Sequence, residues 1–228
     1  MNVVVASVDL RSLFGPSRNQ GSRPTCLAFA ASDAHAALRG RWTPLSCEYA
    51  FYHAQRRANR APSDGALLSS MLDALRIDGQ PAESGWPYLA TTPIVAASWS
   101  PPDAVGPLFG RAGGKFSPTI EDIIAELDRG RPVITLTMLS RSFYRPSPQA
   151  VIHPENGEAP EPARRHAVVA VGHGRVGSHR AILARNSWGP QWGDHGYGWL
   201  TETFLGPRIF AAAVLTEEVD VSARSAAA

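Results

Sequence analysis

Cysteine is scarce in this chain of 228 residues, which contains only Cys26 and Cys47. Two cysteines cannot form the disulfide framework of a small secreted domain, so the sequence favours a reducing, cytoplasmic location. The first ten residues lack the basic-then-apolar layout of a secretory signal, and no apolar run approaches the roughly 20 residues of a membrane helix. We therefore predict a soluble, disulfide-free protein; its delivery as an effector stays open.

The chain also lacks a large excess of either sign of charge, because it has 22 basic and 20 acidic residues and a net charge of only +2. Such a balance argues against nucleic acid or an anionic membrane as a partner. The histidines show no metal-ligand spacing, so we predict neither a metal nor a cofactor. With 44% hydrophobic residues, the chain is long enough for one large or two small lobes with a real core.

Helical patterns come first along the chain and strand patterns second. Apolar spacing and capping residues predict helices at about 26–39, 46–58, 67–75 and 119–127. Buried or alternating apolar runs predict strands at 2–8, 133–139, 167–171, 181–184, 197–200 and 210–215. This order indicates an α+β fold whose antiparallel strands form a small barrel or curled sheet. We predict a mainly helical lobe (1–110), a mainly β lobe (111–216) and a flexible tail (217–228).

Cys26 is the first residue of an alanine-rich helix that follows a polar loop, with Thr25 as its predicted N-cap. The positive end of the helix dipole favours a thiolate there. His166 opens one predicted strand and Asn186 ends another. Together these residues could supply a nucleophile, a base and an orienting amide. Cys47 has no such companions and is predicted to be an inert core residue.

Three motifs, in this order, resemble the papain-like (C1) cysteine peptidases. They are Gln20-Gly21-x-x-x-x-Cys26-x-Ala28-Phe29, His166-Ala167-Val168 and Asn186-Ser187-Trp188-Gly189. In that family the histidine and asparagine follow the cysteine by roughly 130–150 residues, and here the spacings are 140 and 160. The resemblance extends from about Asp9 to Leu215. It implies a bacterial-type papain-like fold with a helical left lobe, an antiparallel β-barrel-like right lobe and the active site in the cleft between them.

The resemblance also implies a role for each matching residue. Cys26 would attack the peptide carbonyl as a thiolate, and His166, oriented by Asn186, would serve as acid and base. Gln20 would donate to the oxyanion together with the Cys26 N–H, and Trp188 would shield the His166–Asn186 bond. The implied activity is that of a cysteine endopeptidase working through a thioester.

The same resemblance implies a peptide or protein substrate whose second residue before the scissile bond is apolar or aromatic. The implied substrate-binding residues are Gly65, Ala66, Leu67, Leu136, Ala167 and Trp188. We expect no inhibitory pro-segment, so control would come from the compartment, narrow specificity or a separate inhibitor or regulatory partner.

Departures from the family pattern bear on these expectations. Arg23-Pro24-Thr25-Cys26-Leu27 stands where the family usually has Cys-Gly-Ser-Cys-Trp, which removes one disulfide. Ala66 replaces a frequent glycine, which weakens the expected contact with the substrate backbone. Arg165 precedes His166, and its positive charge is expected to lower the pKa of the imidazolium. Three nearby carboxylates are predicted to lie in a solvated loop or, less favoured, in a flap that selects basic substrates: Glu155, Glu158 and Glu161.

Two other functions stay open. An acyltransferase or transpeptidase on the same fold would use identical residues, with an amine instead of water resolving the acyl-enzyme. A catalytically inactive binding module is disfavoured, because such proteins usually lose the cysteine or the histidine and this sequence keeps both.

Overall fold

A computed structural model describes residues 3–93 and 98–221. By its internal contacts the chain divides into two compact units. We call residues 1–19 and 116–214 the sheet unit, and residues 20–115 and 215–228 the helical unit. Residues 1–2, at the start of the strand predicted at 2–8, residues 94–97, in the predicted helical lobe, and residues 222–228, in the predicted tail, lie outside the described residues.

The helices, in chain order, are α1 (Cys26–Ala37), α2 (Cys47–Ala58), α3 (Leu68–Asp73), α4 (Ile120–Asp128), α5 (Arg141–Tyr144) and α6 (Glu202–Leu205). The strands are β1 (Val4–Asp9), β2 (Gly110–Phe116), β3 (Val133–Leu139), β4 (Val151–Ile152), β5 (Glu161–Val176), β6 (His179–Arg185), β7 (Tyr197–Thr201) and β8 (Ile209–Val219). A π-helical segment, Ala74–Asp78, follows α3 directly.

Helices α1 to α3 form the helical unit for reasons visible in their sequences. In α1 almost every side chain is buried, and fully buried alanines such as Ala31 and Ala34 let neighbouring helices approach closely. The hydroxyl of Ser46 accepts a hydrogen bond from the N–H of Tyr49 and so caps α2, as the sequence predicts. Asn59 ends the same helix in the left-handed conformation, with φ of 51°.

Strand pairing organises the sheet unit. The hydrogen-bonded order is β8-β3-β5-β6-β7-β4, and β1 pairs with β5 outside this path. These pairings are antiparallel except that of β4 with β7, which is parallel. Within the described residues β8 and β4 do not pair with each other, so the sheet is open and not a closed barrel. Strand β4 has only two residues, too few to continue the ladder around a barrel.

Helix α4 covers this sheet with an amphipathic face. Ile120, Ile123 and Leu127 recur at helical spacing, and all three are buried in the core that the strands form. The helix begins at a capping box in which Thr119 and Asp122 bond each other's backbone N–H. These signals are strong in the sequence, which explains why the prediction for this helix agrees with the structure.

The boundaries of the two units differ from the lobes expected at 1–110 and 111–216. Residues 1–19 belong to the sheet unit, because β1 pairs with β5 and the Leu10 N–H donates to the carbonyl of Val171. At the other end, β8 contributes residues beyond Val214 to the helical unit. The expectation of a flexible tail from residue 217 is wrong up to Val221, because β8 runs to Val219 and Val221 is buried.

None of the helices among the described residues is long and apolar enough to cross a membrane.

Candidate active site

Cys26 opens α1, as the sequence predicts, and is partly exposed. Thr25 holds the N-cap position, but its hydroxyl does not cap the helix; it bonds the Tyr88 hydroxyl at 2.9 Å instead. The unpaired N–H groups and the dipole of a helix N-terminus stabilise negative charge on such a residue. Neither Cys26 nor Cys47 forms a disulfide, and Cys47 is completely buried.

The loop before Cys26 is held by hydrogen bonds that converge on the Arg23 carbonyl. The side-chain amide of Gln20 donates to this oxygen at 2.8 Å, and the backbone N–H of Thr25 donates to it at 2.8 Å. The Tyr88 hydroxyl donates to the Gln20 carbonyl at 2.7 Å. Gln20 is only 7% exposed, so its carboxamide has a defined position within the helical unit.

His166 lies within the sheet unit, on β5 opposite Thr137 of β3. The sequence predicts it at the start of a strand, but β5 begins five residues earlier, at Glu161. Its Nε2 lies 2.7 Å from Oδ1 of Asn186, directly after β6. Thus His166 and Asn186 are brought together as predicted, within a single unit.

A backbone group defines which nitrogen of His166 carries the proton. The N–H of Ser187 donates to Oδ1 of Asn186 at 2.8 Å, and an N–H can only donate. The Asn186 atom beside it must therefore be the oxygen, so Nε2 of His166 is the donor in their hydrogen bond. In the neutral imidazole this leaves the lone pair, and hence the basic site, at Nδ1.

Burial governs the protonation of His166, whose side chain is only 5% exposed. Desolvation lowers the pKa of His166 to about 4, although the hydrogen bond with Asn186 raises it in part. Arg165, which the sequence indicates as the cause, has its guanidinium 5.3 Å from the Phe210 ring centroid and donates to the Pro162 carbonyl. The lowered pKa is therefore an effect of burial, and the expectation for Arg165 is wrong.

Aromatic side chains surround the imidazole. The centroid of the Trp188 ring lies 4.8 Å from that of the His166 ring. Phe143 lies 5.7 Å from His166 and 5.3 Å from Trp188, and Tyr144 stacks on Trp188 at 5.4 Å. Sequence reasoning missed Phe143 and Tyr144. The available signal was an aromatic pair that begins four residues after the end of the buried strand β3.

Glu158 fixes the loop that precedes β5. Its carboxylate accepts from the N–H and hydroxyl of Ser142 and from the N–H of Glu155. Burial alone would raise the pKa of Glu158, but hydrogen bonds, led by those from the Ser140 and Ser142 hydroxyls, lower it to about 2. The prediction of a solvated loop is therefore wrong for Glu158, which is partly buried and ties the loop to α5 beside Phe143.

The substrate-binding residues implied by the sequence fall into two separate groups. Gly65, Ala66 and Leu67 precede α3 in the helical unit, and the Leu67 side chain is 46% exposed. Leu136 and Ala167 are cross-strand partners on β3 and β5 of the sheet unit. Among the described residues no group of three or more His, Cys, Asp and Glu side chains could hold a metal ion.

Comparison with known proteins identifies a matching family and similar relatives. The family model described as papain family cysteine protease matches residues 4–204. A "Cysteine protease" of Blomia tropicalis is 28% identical over 80% of this chain and 56% of its own length. "Cysteine proteinase 3" of Entamoeba histolytica is 29% identical over 84% of this chain and 61% of its own length. The chain thus spans less than two thirds of the length of these relatives.

Solved structures show the same fold. Xylellain, a cysteine protease from Xylella fastidiosa, superposes with a TM-score of 0.76 at 22% identity, covering 94% of this chain and 87% of that chain. Digestive procathepsin L 3 of Tenebrio molitor gives a TM-score of 0.71 at 21% identity, covering 94% of this chain and 71% of that chain. The fold expected from the sequence motifs is therefore confirmed, with the open sheet described above.

Proposed function

Since the chain belongs to the papain family of cysteine proteases, we propose that it hydrolyses peptide bonds through a thioester acyl-enzyme formed on Cys26. The observation that carries the proposal is the His166–Asn186 hydrogen bond, with the Ser187 N–H fixing its direction. It leaves Nδ1 of His166 as the base. A buried imidazole held in one tautomer is what acyl transfer to a thiol requires of its general base.

In the proposed reaction Nδ1 of His166 takes the proton of the Cys26 thiol, and the sulfur attacks the carbonyl carbon of the peptide. The resulting imidazolium donates its proton to the leaving amine, which departs as the C–N bond breaks. The neutral imidazole then takes a proton from water, whose oxygen attacks the thioester carbon. The C–S bond breaks, the acyl product leaves as a carboxylic acid, and the imidazolium returns its proton to the sulfur of Cys26. His166 thus needs to be protonated only transiently, which suits its lowered pKa.

The ionisation of the Cys26 thiol and that of the His166 imidazole depend on each other. Burial disfavours an isolated imidazolium, whereas a nearby thiolate would favour it by opposite charge. We therefore propose that the thiolate of Cys26 and the imidazolium of His166 form together and titrate as a pair. The start of α1 adds to this by stabilising the thiolate.

The oxyanion of the tetrahedral intermediate is assigned to the Gln20 amide and the Cys26 N–H. A preorganised donor of this kind contributes about 10²–10³ in rate. The support is the buried, hydrogen-bonded carboxamide of Gln20, six residues before Cys26. The substrate is proposed to be a peptide or protein chain that pairs with the backbone at Gly65 and places an apolar side chain near Leu67, Leu136 and Ala167.

Alkylation and hydrolysis together test this proposal, and the second cysteine supplies a matched control. Iodoacetamide is expected to modify Cys26 rapidly and to abolish peptide hydrolysis, and Cys26→Ala is expected to be inactive. Cys47→Ala should keep both the labelling and the activity, because Cys47 is fully buried in α2. A Cys26→Ala protein with full activity would end the proposal.

Product analysis separates hydrolysis from transfer. Peptide cleavage is followed by mass spectrometry with and without an added amine. Products that carry only the elements of water support a peptidase, whereas products that carry the amine indicate an acyltransferase with the same residues. Binding of the peptide with neither kind of product would indicate a silent binding module.

A further inference from the structure

A buried ion pair lies in the helical unit beside the loop that ends at Cys26. Arg23 is 1% exposed and Glu48 is completely buried. The two terminal nitrogens of Arg23 donate to the two carboxylate oxygens of Glu48 at 2.6 and 3.0 Å. This fork-to-fork arrangement fixes the direction of the guanidinium as well as its position.

The surroundings of the pair are completed by other side chains and by the backbone. Glu48 also accepts from the Leu89 N–H at 3.1 Å and from the Trp99 indole N–H at 2.7 Å. Arg23 also donates to the Leu89 carbonyl at 2.6 Å, and its guanidinium lies 5.0 Å from the Tyr88 ring centroid. A carboxylate with four donors and a guanidinium beside an aromatic face are thus locked in one arrangement.

The backbone of Arg23 lies between the two groups assigned to the oxyanion. Its carbonyl accepts from the Gln20 carboxamide, and three residues later the chain reaches Cys26. Tyr88 reinforces the link, since its hydroxyl bonds both the Gln20 carbonyl and the Thr25 hydroxyl. The Arg23 side chain and the Gln20 amide are therefore connected through the backbone of a single residue.

We propose that the Arg23–Glu48 ion pair positions the Gln20 carboxamide for oxyanion stabilisation, with Arg23 as a positioning residue that does not itself touch the substrate. This inference rests on the proposed function. Replacing a buried ion pair by apolar residues is often neutral or stabilising, so stability alone is a weak reason to place two charges here. Geometric definition of a loop is a stronger reason, because a misplacement of about 1 Å can cost about 100-fold in rate.

The test measures turnover per active site, counted by iodoacetamide labelling of Cys26. In Arg23→Met we expect kcat to fall about 10- to 100-fold while KM changes less than about 3-fold, because the lost interaction acts on the transition state. In Arg23→Lys, which keeps the charge and loses the fork, we expect an intermediate kcat. Unfolded Arg23→Met chains have thiols of ordinary pKa, which react slowly at neutral pH, so counting only the rapidly labelled Cys26 corrects for incomplete folding.

A double-mutant cycle identifies the path of the effect. Gln20→Ala alone is expected to lower kcat by about 10²–10³. If Arg23 acts through Gln20, then Arg23→Met in the Gln20→Ala background should lower kcat by less than about 3-fold further. Full additivity of the two losses would overturn the inference.

Arg57 offers a matched control on α2. It also makes a bidentate contact, from Nε and one terminal nitrogen to Asp78 at 2.7 and 2.9 Å, but it is exposed. Arg57→Met should leave kcat per active site within about 2-fold of wild type. If Arg23→Met behaves like Arg57→Met, the ion pair is structural only and the inference fails. If the wild-type protein hydrolyses no peptide, the proposed function itself fails, so the two failures are distinct.

Discussion

Asn186 offers the sharpest perturbation of the candidate site, because a single oxygen serves two buried donors. Its Oδ1 accepts from His166 Nε2 at 2.7 Å and from the Ser187 N–H at 2.8 Å, and the residue is 1% exposed. Asn186→Ala removes this acceptor and leaves both donors without it. The imidazole then loses the group that assigns its proton to Nε2.

The cost can be estimated in two parts. Two orphaned buried donors cost about 1–3 kcal/mol each in unfolding free energy. Part of this is offset, because the Nδ2 of Asn186 is itself buried with no partner among the described residues, and the substitution removes it. We therefore expect a net loss of about 1–3 kcal/mol in the free energy of unfolding. For catalysis, a hydrogen bond to a charged imidazolium is worth about 1.5–3 kcal/mol, or roughly 10- to 100-fold in kcat.

Asn186→Asp is the complementary variant, because it keeps the hydrogen-bond acceptor for His166 and adds a negative charge beside it. A carboxylate can still accept from both His166 and Ser187, so the tautomer is kept, but its charge should raise the pKa of His166. We expect the acid limb of the pH–rate profile of Cys26 alkylation to move to higher pH in this variant. In Asn186→Ala the pKa of His166 should instead fall, because the hydrogen bond that raises it is gone.

The assay combines urea unfolding, followed by tryptophan fluorescence, with kcat per labelled active site. Asn156→Ala, an exposed asparagine of the same unit, is the control and should change neither quantity. Wild-type stability together with wild-type kcat in Asn186→Ala would refute the assignment of Asn186 as the orienting group.

Two further predictions concern buried groups outside the reaction. Burial lowers the pKa of His35 from 6.5 to about 4. Between these two pH values the unfolded chain binds a proton that the folded chain does not, so the free energy of unfolding decreases as the pH falls from 6.5 towards 4. The loss in unfolding free energy between pH 7 and pH 5 should therefore be smaller by about 2 kcal/mol in His35→Leu than in wild type, measured by urea titration; an unchanged loss would contradict this. Arg185→Met should lower the unfolding free energy by about 2–4 kcal/mol, since the buried guanidinium serves the carbonyls of Gly15 and Pro16. The half-exposed Arg131→Met is its control and should change stability by less than about 0.5 kcal/mol; equal losses would refute the role of Arg185.

Local signals explain which elements could be predicted from the sequence. Helix α4 combines a capping box at Thr119 with apolar residues at helical spacing, and β3 is a run of apolar and β-branched residues. Both elements appear within a residue or two of the expected bounds. The glycine-rich strand β2 carries no such signal, because its sequence, Gly-Arg-Ala-Gly-Gly-Lys-Phe, lacks the β-branched residues typical of strands.

Contacts between residues far apart in the sequence account for most of the structural features that could not be predicted. The assignment of β1 to the sheet unit depends on its ladder with β5, more than 160 residues away. The same holds within the candidate site. The motifs predict that His166 and Asn186 meet, but the tautomer depends on the Ser187 N–H, whose direction is a matter of three-dimensional geometry. The cytoplasmic location and the partners stay predictions.

Position 23 illustrates the limit most clearly, since the sequence shows only that Arg23 stands where the family pattern has a cysteine. Nothing in the local pattern indicates that Glu48, 25 residues later in α2, is its partner. From the sequence this position is interpreted as a lost disulfide, whereas the structure has a buried ion pair there. A residue type predicts its chemistry, but its partner depends on the fold.

Fully buried arginines donate to backbone carbonyls at three places among the described residues. Arg23, Arg185 and Arg208 are among the largest fully buried side chains. Arg185, which directly precedes Asn186 in the sequence, donates to the carbonyls of Gly15 and Pro16 in the N-terminal segment. Arg208 donates to the carbonyls of Phe204 and Glu158, and Glu158 belongs to the loop that precedes β5. A guanidinium has five donors in a rigid fork, so one side chain can fix several loop carbonyls at once without any oxidation. Loops around candidate catalytic residues can therefore be kept rigid in a chain with two cysteines, provided that each buried charge finds its acceptors.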